Sequence, residues 1–144
     1  PETDDVQAFD HLDKADTFPV DVTTADADPS DYAAVVLPGG VANPDHLRQD
    51  EGARRIVKAA ADAGTPIAVI CHGPWTLIDA GDVRGRTLTS WPSLQTDLRN
   101  AGAEAIAIND EVRVIAQTSF EEAVGGIEAG GVLLTETVAA TGLD

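Results

Sequence analysis

The chain has 144 residues, 43% of them hydrophobic, which is the size and composition of a single compact domain with a buried core. Its formal net charge is −16, from 25 acidic and nine basic residues, and no basic patch is visible. This charge excludes nucleic acid and anionic membrane surfaces as expected partners. The scattered carboxylates and scarce lysines favour a halophilic protein, with an ordinary acidic protein as the alternative.

The cysteine and histidine content also limits which kinds of site the chain can form and indicates its cellular compartment. The only cysteine, Cys71, excludes an internal disulfide and any paired-cysteine motif, which fits a reducing cytoplasm. Three scattered histidines give no metal-ligand spacing, so we expect neither a metal nor another cofactor. No apolar run approaches the roughly 18 residues of a membrane span, so no membrane partner is expected.

The first 31 residues are polar, and residues Phe18 to Val22 (FPVDV) predict an edge strand or hairpin arm. The first buried strand is predicted at Tyr32 to Leu37 (YAAVVL), which runs directly into Pro38-Gly39-Gly40. A continuous apolar run that ends in a glycine turn is typical of a parallel strand covered on both faces.

A helix is predicted over Pro44 to Ala63, with Gly64 as its C-terminal stop. Its apolar residues recur at helical spacing, at positions Leu47, Ala53, Ile56, Val57 and Ala60. A second buried strand is predicted at Pro66 to Ile70 (PIAVI), entering Cys71-His72-Gly73-Pro74. The order strand, helix, strand indicates a parallel crossover unit.

Shorter elements follow toward the C-terminus. Helices are predicted at Trp75 to Ala80 and Pro92 to Ala101, and strands at Ala105 to Ile108 and Val112 to Ile115. The alternation predicts an α/β fold with a doubly wound, mostly parallel sheet and helices on both faces. In such sheets ligands bind outside the carboxyl ends of the strands, where both the PGG and CHG turns would lie.

Cys71 is the first candidate for chemistry. A cysteine in a tight turn between a buried strand and a helix lies near unpaired N–H groups that favour the thiolate. His72 adds a proton carrier, Gly73 gives the turn steric room, and Pro74 suits the first helical turn. From the residues alone, nucleophile and core filler are equally good interpretations, since free cysteines often fill cores.

Gly39, Gly40 and Asp45 are further candidates near the predicted crevice. The Gly39-Gly40 pair can aim backbone N–H groups at a developing oxyanion, although a sterically required turn explains it better in isolation. Asp45 can orient the imidazole of His72 as the third member of a triad. An ordinary carboxylate at a helix N-terminus explains Asp45 equally well.

Several ordered motifs resemble one known family. The stretches VVLPGG, PDHLR, AVICHGPW and GDVRGRTLTSWPSLQTDLRNAGAE, within about residues 6 to 110, are similar to the PfpI branch of the PfpI/ThiJ superfamily. That resemblance implies a flavodoxin-like fold related to class I glutamine amidotransferases. It also implies a nucleophilic Cys71, His72 beside it, Asp45 as the triad acid reaching an adjacent subunit of a homo-oligomer, and an oxyanion hole from backbone amides near Gly40 and His72.

The resemblance also leads to expectations about the two ends. Family members begin with a βα unit whose glutamate contacts the cysteine, and this sequence starts after that unit. The tail from about Val112 differs from the usual family ending. One domain is expected over 1–144, with a hairpin or edge region at 1–31, a core at 32–110 and an atypical tail at 111–144. Residues 130–138 (GGVLLTETV) are a candidate replacement strand.

The function expected from the resemblance is a cysteine-dependent hydrolase or lyase. The substrate would be a small carbonyl compound, a glycated adduct or a peptide, with Gly39, Gly40, His72 and Gly73 at the substrate and oxyanion site. Glutaminase activity is disfavoured, because the triad of class I glutamine amidotransferases uses a histidine well downstream of the nucleophile and no histidine follows His72 here. The alternative is a weakly active or inactive relative that serves as a chaperone, redox sensor or oligomeric scaffold. Peptidase, deglycase, glyoxalase-like and stress-linked activities all occur under this family name.

Overall fold

The computed structural model describes residues 5–10 and 12–105, together with the backbone of residues 131–134. Its central sheet contains β3 (Tyr32–Leu37), β4 (Ile67–Val69) and β7 (Gly131–Leu134), with β3 in the middle and all pairings parallel. The candidate stretch 130–138 thus contains a strand at Gly131–Leu134, its other residues lie outside the described residues, and its role as a replacement strand stays a prediction. The last four residues of β3 are buried, as its continuous apolar run predicts.

An antiparallel hairpin precedes this sheet. It consists of β1 (Asp5–Asp10) and β2 (Asp13–Pro19), with Val6 opposite Phe18. The predicted strand at residues 18–22 is therefore right only for Phe18 and Pro19, because the hairpin ends there. All residues of β2 are exposed, whereas Ala8 of β1 is buried.

The predicted helix over Pro44 to Ala63 is wrong in one respect, because the structure has two helices there. These are α1 (Ala42–Leu47) and α2 (Glu51–Ala63). Asp50 lies between them with an extended backbone, and its carboxylate accepts a hydrogen bond from the N–H of Ala53 at 2.6 Å. This N-cap satisfies a free donor at the start of α2 and interrupts the longer helix.

The apolar face of α2 packs against β3 and α3 (Pro74–Ala80). The apolar residues predicted to face the core are all buried, namely Leu47, Ala53, Ile56, Val57 and Ala60. Gly64 and Gly81 follow α2 and α3 in the left-handed conformation, with φ of 72° and 79°. Gly64 is the C-terminal stop predicted above, and Gly81 ends α3 in the same way.

The remaining described elements are short. The 3₁₀ turns span Pro29–Asp31 and Pro92–Leu94, α4 spans Gln95–Asn100, and β5 (Thr87–Leu88) pairs in parallel with β6 (Glu104–Ala105). The predicted helix at residues 92–101 is thus a 3₁₀ turn followed by an α-helix. Of the strand predicted at 105–108 only residue 105 is described, and the strand predicted at 112–115 lies outside the described residues.

The fold places the two glycine turns side by side. β3 and β4 are parallel neighbours, with Leu37 opposite Val69 at their carboxyl ends. Pro38-Gly39-Gly40 and Cys71-His72-Gly73 therefore leave the same edge of the sheet, as predicted. In the described part of the chain, none of the helices combines the length and apolar character needed to span a bilayer.

Candidate active site

The loops after β3 and β4 touch each other at Gly39 and Cys71. A Cβ atom on Gly39 would lie 2.6 Å from Cβ of Cys71 and 3.5 Å from its Sγ. The first distance is far below a van der Waals contact between two carbon atoms, so only glycine at position 39 lets the two loops come this close. Gly40 has φ of 80°, a left-handed conformation that glycine adopts without steric cost. Steric constraints thus explain why glycine occupies both positions of the PGG turn.

Cys71 has an unusual backbone conformation. Its φ is 58°, and among the described residues no other non-glycine residue has a positive φ. The left-handed conformation costs a residue with a Cβ about 1–2 kcal/mol. Cys71 stands between β4 and α3 and is half-buried. A sharp, strained strand-to-helix turn that presents one side chain is the geometry of a nucleophile elbow.

The side chains of Cys71 and His72 contact each other directly. Sγ of Cys71 lies 3.1 Å from Nδ1 of His72. His72 is buried, with 8% of its surface exposed, and this burial lowers the pKa of its imidazole below the usual value of 6.5. A neutral imidazole at pH 7 can accept the proton of a neighbouring thiol. The pair therefore has the geometry that a nucleophile and its base require.

Two tryptophans, the only ones in the chain, enclose the imidazole of His72. The ring of Trp91 stacks on it with centroids 5.9 Å apart and an interplanar angle of 26°. The ring of Trp75 meets it edge-on at 5.3 Å and 66°. The sequence analysis did not single out either tryptophan as a site residue. Trp75 lies three residues after His72, in the first turn of α3, so its proximity has a local origin, but nothing local indicates Trp91.

The backbone donors of the turn differ in their availability. The N–H of Gly73 donates to the carbonyl of Ile70 at 2.8 Å, so it holds the turn together. A Cβ on Gly73 would lie 2.9 Å from the carbonyl oxygen of Leu37, which gives this glycine a steric role. The N–H groups of Gly40 and His72 have no acceptor among the described residues. Both donors are therefore available to an acceptor outside the described residues.

The structure does not bring Asp45 to His72. Asp45 lies on α1 with an exposed side chain, and within the described residues no hydrogen bond joins its carboxylate to the imidazole. Its backbone N–H donates to the carbonyl of Val41 at 3.2 Å. A single chain thus assembles Cys71 and His72 but leaves the predicted triad acid at the surface.

No group of three or more potential metal ligands occurs among the residues that the structure describes. The one thiol is bonded to no other cysteine and faces an imidazole rather than further ligands. The arrangement is suited to nucleophilic attack and proton transfer.

A family model decides the classification. The model of the DJ-1/PfpI family matches residues 4–121, which is most of the chain. The chain belongs to the DJ-1/PfpI family. The resemblance seen in the PGG and CHG motifs is thereby confirmed, and so is the flavodoxin-like α/β fold that it implies.

Among curated relatives, a protein named a deglycase from Pyrococcus abyssi is 44% identical over 88 residues, covering 61% of this chain and 52% of that protein. The chain spans about half the length of the curated relatives that it matches.

Two solved structures share the fold. A two-domain protein from Anabaena variabilis with DJ-1/ThiJ/PfpI-like and ferritin-like domains has a TM-score of 0.61 and 37% identity, covering 62% of this chain and 26% of that one. DJ-1beta from Drosophila melanogaster has a TM-score of 0.59 and 22% identity, covering 78% of this chain and 72% of that one. The second likeness is one of fold alone.

Proposed function

We propose that this DJ-1/PfpI family member is a cysteine-dependent hydrolase or lyase that attacks an electrophilic carbonyl carbon. The observation that carries the proposal is the strained backbone of Cys71 together with its contact to His72 at 3.1 Å. A buried filler cysteine has no need of a costly left-handed φ, whereas a nucleophile must project from its turn. The deglycase name of the Pyrococcus relative supports a glycated substrate.

The proposed first step is attack by the thiolate. The thiol proton of Cys71 passes to Nδ1 of His72, and the sulfur electron pair forms a bond to the carbonyl carbon. The π electrons of the carbonyl move to its oxygen, which becomes an oxyanion. The free N–H groups of Gly40 and His72 are the donors assigned to this oxyanion. The proton held by His72 then passes to the oxyanion, which leaves a neutral hemithioacetal, or to a leaving group that departs as the carbonyl re-forms. In the second case water hydrolyses the resulting thioester of Cys71 and returns the free thiol.

The triad acid is proposed to come from a second copy of the chain. Asp45 is exposed on α1, so its carboxylate is accessible to a partner, and a single chain leaves His72 without it. Mixing Cys71→Ala chains with Asp45→Ala chains tests this directly. A shared site predicts that the mixture regains part of the wild-type turnover, since one of its sites has both groups. No recovery in a mixture proven to exchange subunits would contradict it.

The proposal is tested by turnover of three substrate classes: methylglyoxal, a glycated amino acid and a fluorogenic peptide. Cys71→Ala is expected to reduce turnover of the accepted class to background. His72→Gln is expected to reduce it about 10²–10⁴-fold, the usual contribution of an acid–base group. His46→Gln is the matched control, because it makes the same substitution at an imidazole that is exposed on α1. Full activity in Cys71→Ala would overturn the proposal.

A further inference from the structure

The imidazole of His72 is positioned by aromatic rings. It is buried between Trp75 and Trp91, and within the described residues its only side-chain polar contact is the one to Sγ of Cys71. A histidine that acts as a base is usually oriented by a hydrogen bond to its second ring nitrogen. Here no described carboxylate or carbonyl makes that bond, so ring packing is the orienting contact that the described residues supply.

Trp75 is itself held from two sides. Its indole N–H donates to Oδ2 of Asp97 on α4 at 2.9 Å. On its face lies the guanidinium of Arg48, 5.3 Å from the ring centroid, and Nε of Arg48 donates to Asp79 at 2.5 Å. A tryptophan fixed at its N–H and across its face has little freedom to rotate. The residues that fix it come from α1, α3 and α4, so three helices converge on one ring.

Trp91 is held by a backbone hydrogen bond to the turn that carries Cys71. Its backbone N–H donates to the carbonyl of Cys71 at 2.9 Å. Its side chain remains 45% exposed, so the outer face of the ring meets solvent while the inner face stacks on His72. The hydrogen bond ties the position of this ring to the position of the nucleophile.

We propose that Trp75 and Trp91 form an aromatic clamp that holds the imidazole of His72 against Cys71, and that Asp97 and Arg48 are positioning residues acting through Trp75. This inference rests on the proposed function for its purpose, since a fixed base matters to a nucleophilic cysteine. Its geometry stands independently of any substrate. Asp97 and Arg48 are thus assigned an effect on a histidine that neither of them contacts.

The test is an NMR titration of the His72 imidazole in the whole chain, with its signal assigned by its loss in His72→Gln. Asp97→Ala releases the indole N–H, so the clamp loosens, water reaches the imidazole, and the pKa of His72 rises toward 6.5. Asp97→Asn keeps an oxygen that accepts the indole N–H and should leave the titration close to that of Asp62→Ala. Asp62→Ala is the matched control, because it removes one exposed carboxylate from α2, where Asp62 pairs with Lys58.

The comparison with Asp62→Ala separates the clamp from a simple change in net charge. Loss of either carboxylate removes a negative charge, which by itself lowers the pKa of an imidazole, so a change in charge alone cannot produce a rise in either variant. A rise in Asp97→Ala beyond that of Asp62→Ala supports the clamp, and equal titrations overturn it. Trp75→Phe, which loses only the indole N–H and part of the ring, provides a milder variant should Asp97→Ala fold poorly, and it is expected to move the titration in the same direction.

Kinetics provide the second readout. If an accepted substrate is found, Asp97→Ala should lower kcat about ten- to a hundredfold with KM little changed, as expected when a catalytic group is misplaced. Asp97→Asn should restore most of that loss. A change confined to KM would overturn the positioning role. The NMR titration requires no substrate. If the chain turns over none of the substrates, the proposed function is contradicted, and the titration still tests the clamp.

Discussion

The left-handed backbone of Cys71 makes a quantitative prediction about stability. Replacing Cys71 by glycine removes the thiol and relieves a strain of about 1–2 kcal/mol. Glycine also makes the unfolded chain more flexible, which offsets about 0.4–1 kcal/mol of that gain. Cys71→Ala removes the same thiol but keeps a Cβ at φ of 58°. We therefore expect Cys71→Gly to be more stable than Cys71→Ala by about 0.5–1 kcal/mol.

The assay is urea denaturation of the two variants, fitted with a common slope, together with thermal melting. For a chain of this size the expected gain corresponds to roughly 2–4 °C in Tm. The control pair is Lys58→Ala and Lys58→Gly on the exposed face of α2. Glycine should be the less stable member there by about 1 kcal/mol, so the sign is opposite to that at residue 71. The reasoning is refuted if glycine is also the less stable member at residue 71.

Other expected outcomes follow from single contacts. Gly39→Ala places a Cβ 2.6 Å from Cβ of Cys71 and should cost about 1–3 kcal/mol in urea unfolding, and a cost that is no smaller in a Cys71→Gly background would contradict this origin. Burial lowers the pKa of His72, so the folded protein favours the neutral imidazole. The stabilisation that results is fully present above pH 6.5, the usual pKa of histidine, and is lost as the pH falls through the lowered pKa. Wild type should therefore lose more stability than His72→Gln between pH 7 and the lowered pKa, and an NMR pKa of 6.5 or higher would contradict this. Asp50→Ala removes the N-cap of α2 and should cost about 1 kcal/mol by thermal unfolding, whereas an unchanged Tm would show that the cap contributes nothing.

The parts of the fold that the sequence predicts well are those determined by neighbours in the chain. The apolar run into Gly39 marks the end of β3, and Gly64 and Gly81 mark the ends of helices, because only glycine adopts those turns cheaply. The break between α1 and α2 was missed, although Asp50 three residues before Ala53 is a recognisable N-cap signal. The apolar residues keep a helical spacing across that break, so the pattern predicts one continuous helix despite the N-cap residue.

The site shows where local reasoning ends. The adjacency of Cys71 and His72 is visible in the sequence, but the positive φ of Cys71 and its close approach to Gly39 appear only in the structure. Trp91 reaches His72 from a loop 19 residues away, and only the tertiary fold brings the two rings together. Asp45 was predicted from the resemblance, and its placement at the site stays a prediction because it depends on a second chain.

The central claim is that His72 activates Cys71 as a nucleophile, and the most direct measurement is the alkylation rate of the thiol. Cys71 is the only cysteine in the chain, so a gain in intact mass after iodoacetamide treatment reports on this residue alone. The thiolate is the reactive form. Wild type should be alkylated at neutral pH several times faster than His72→Gln, with His46→Gln matching wild type. Equal rates in wild type and His72→Gln would contradict it.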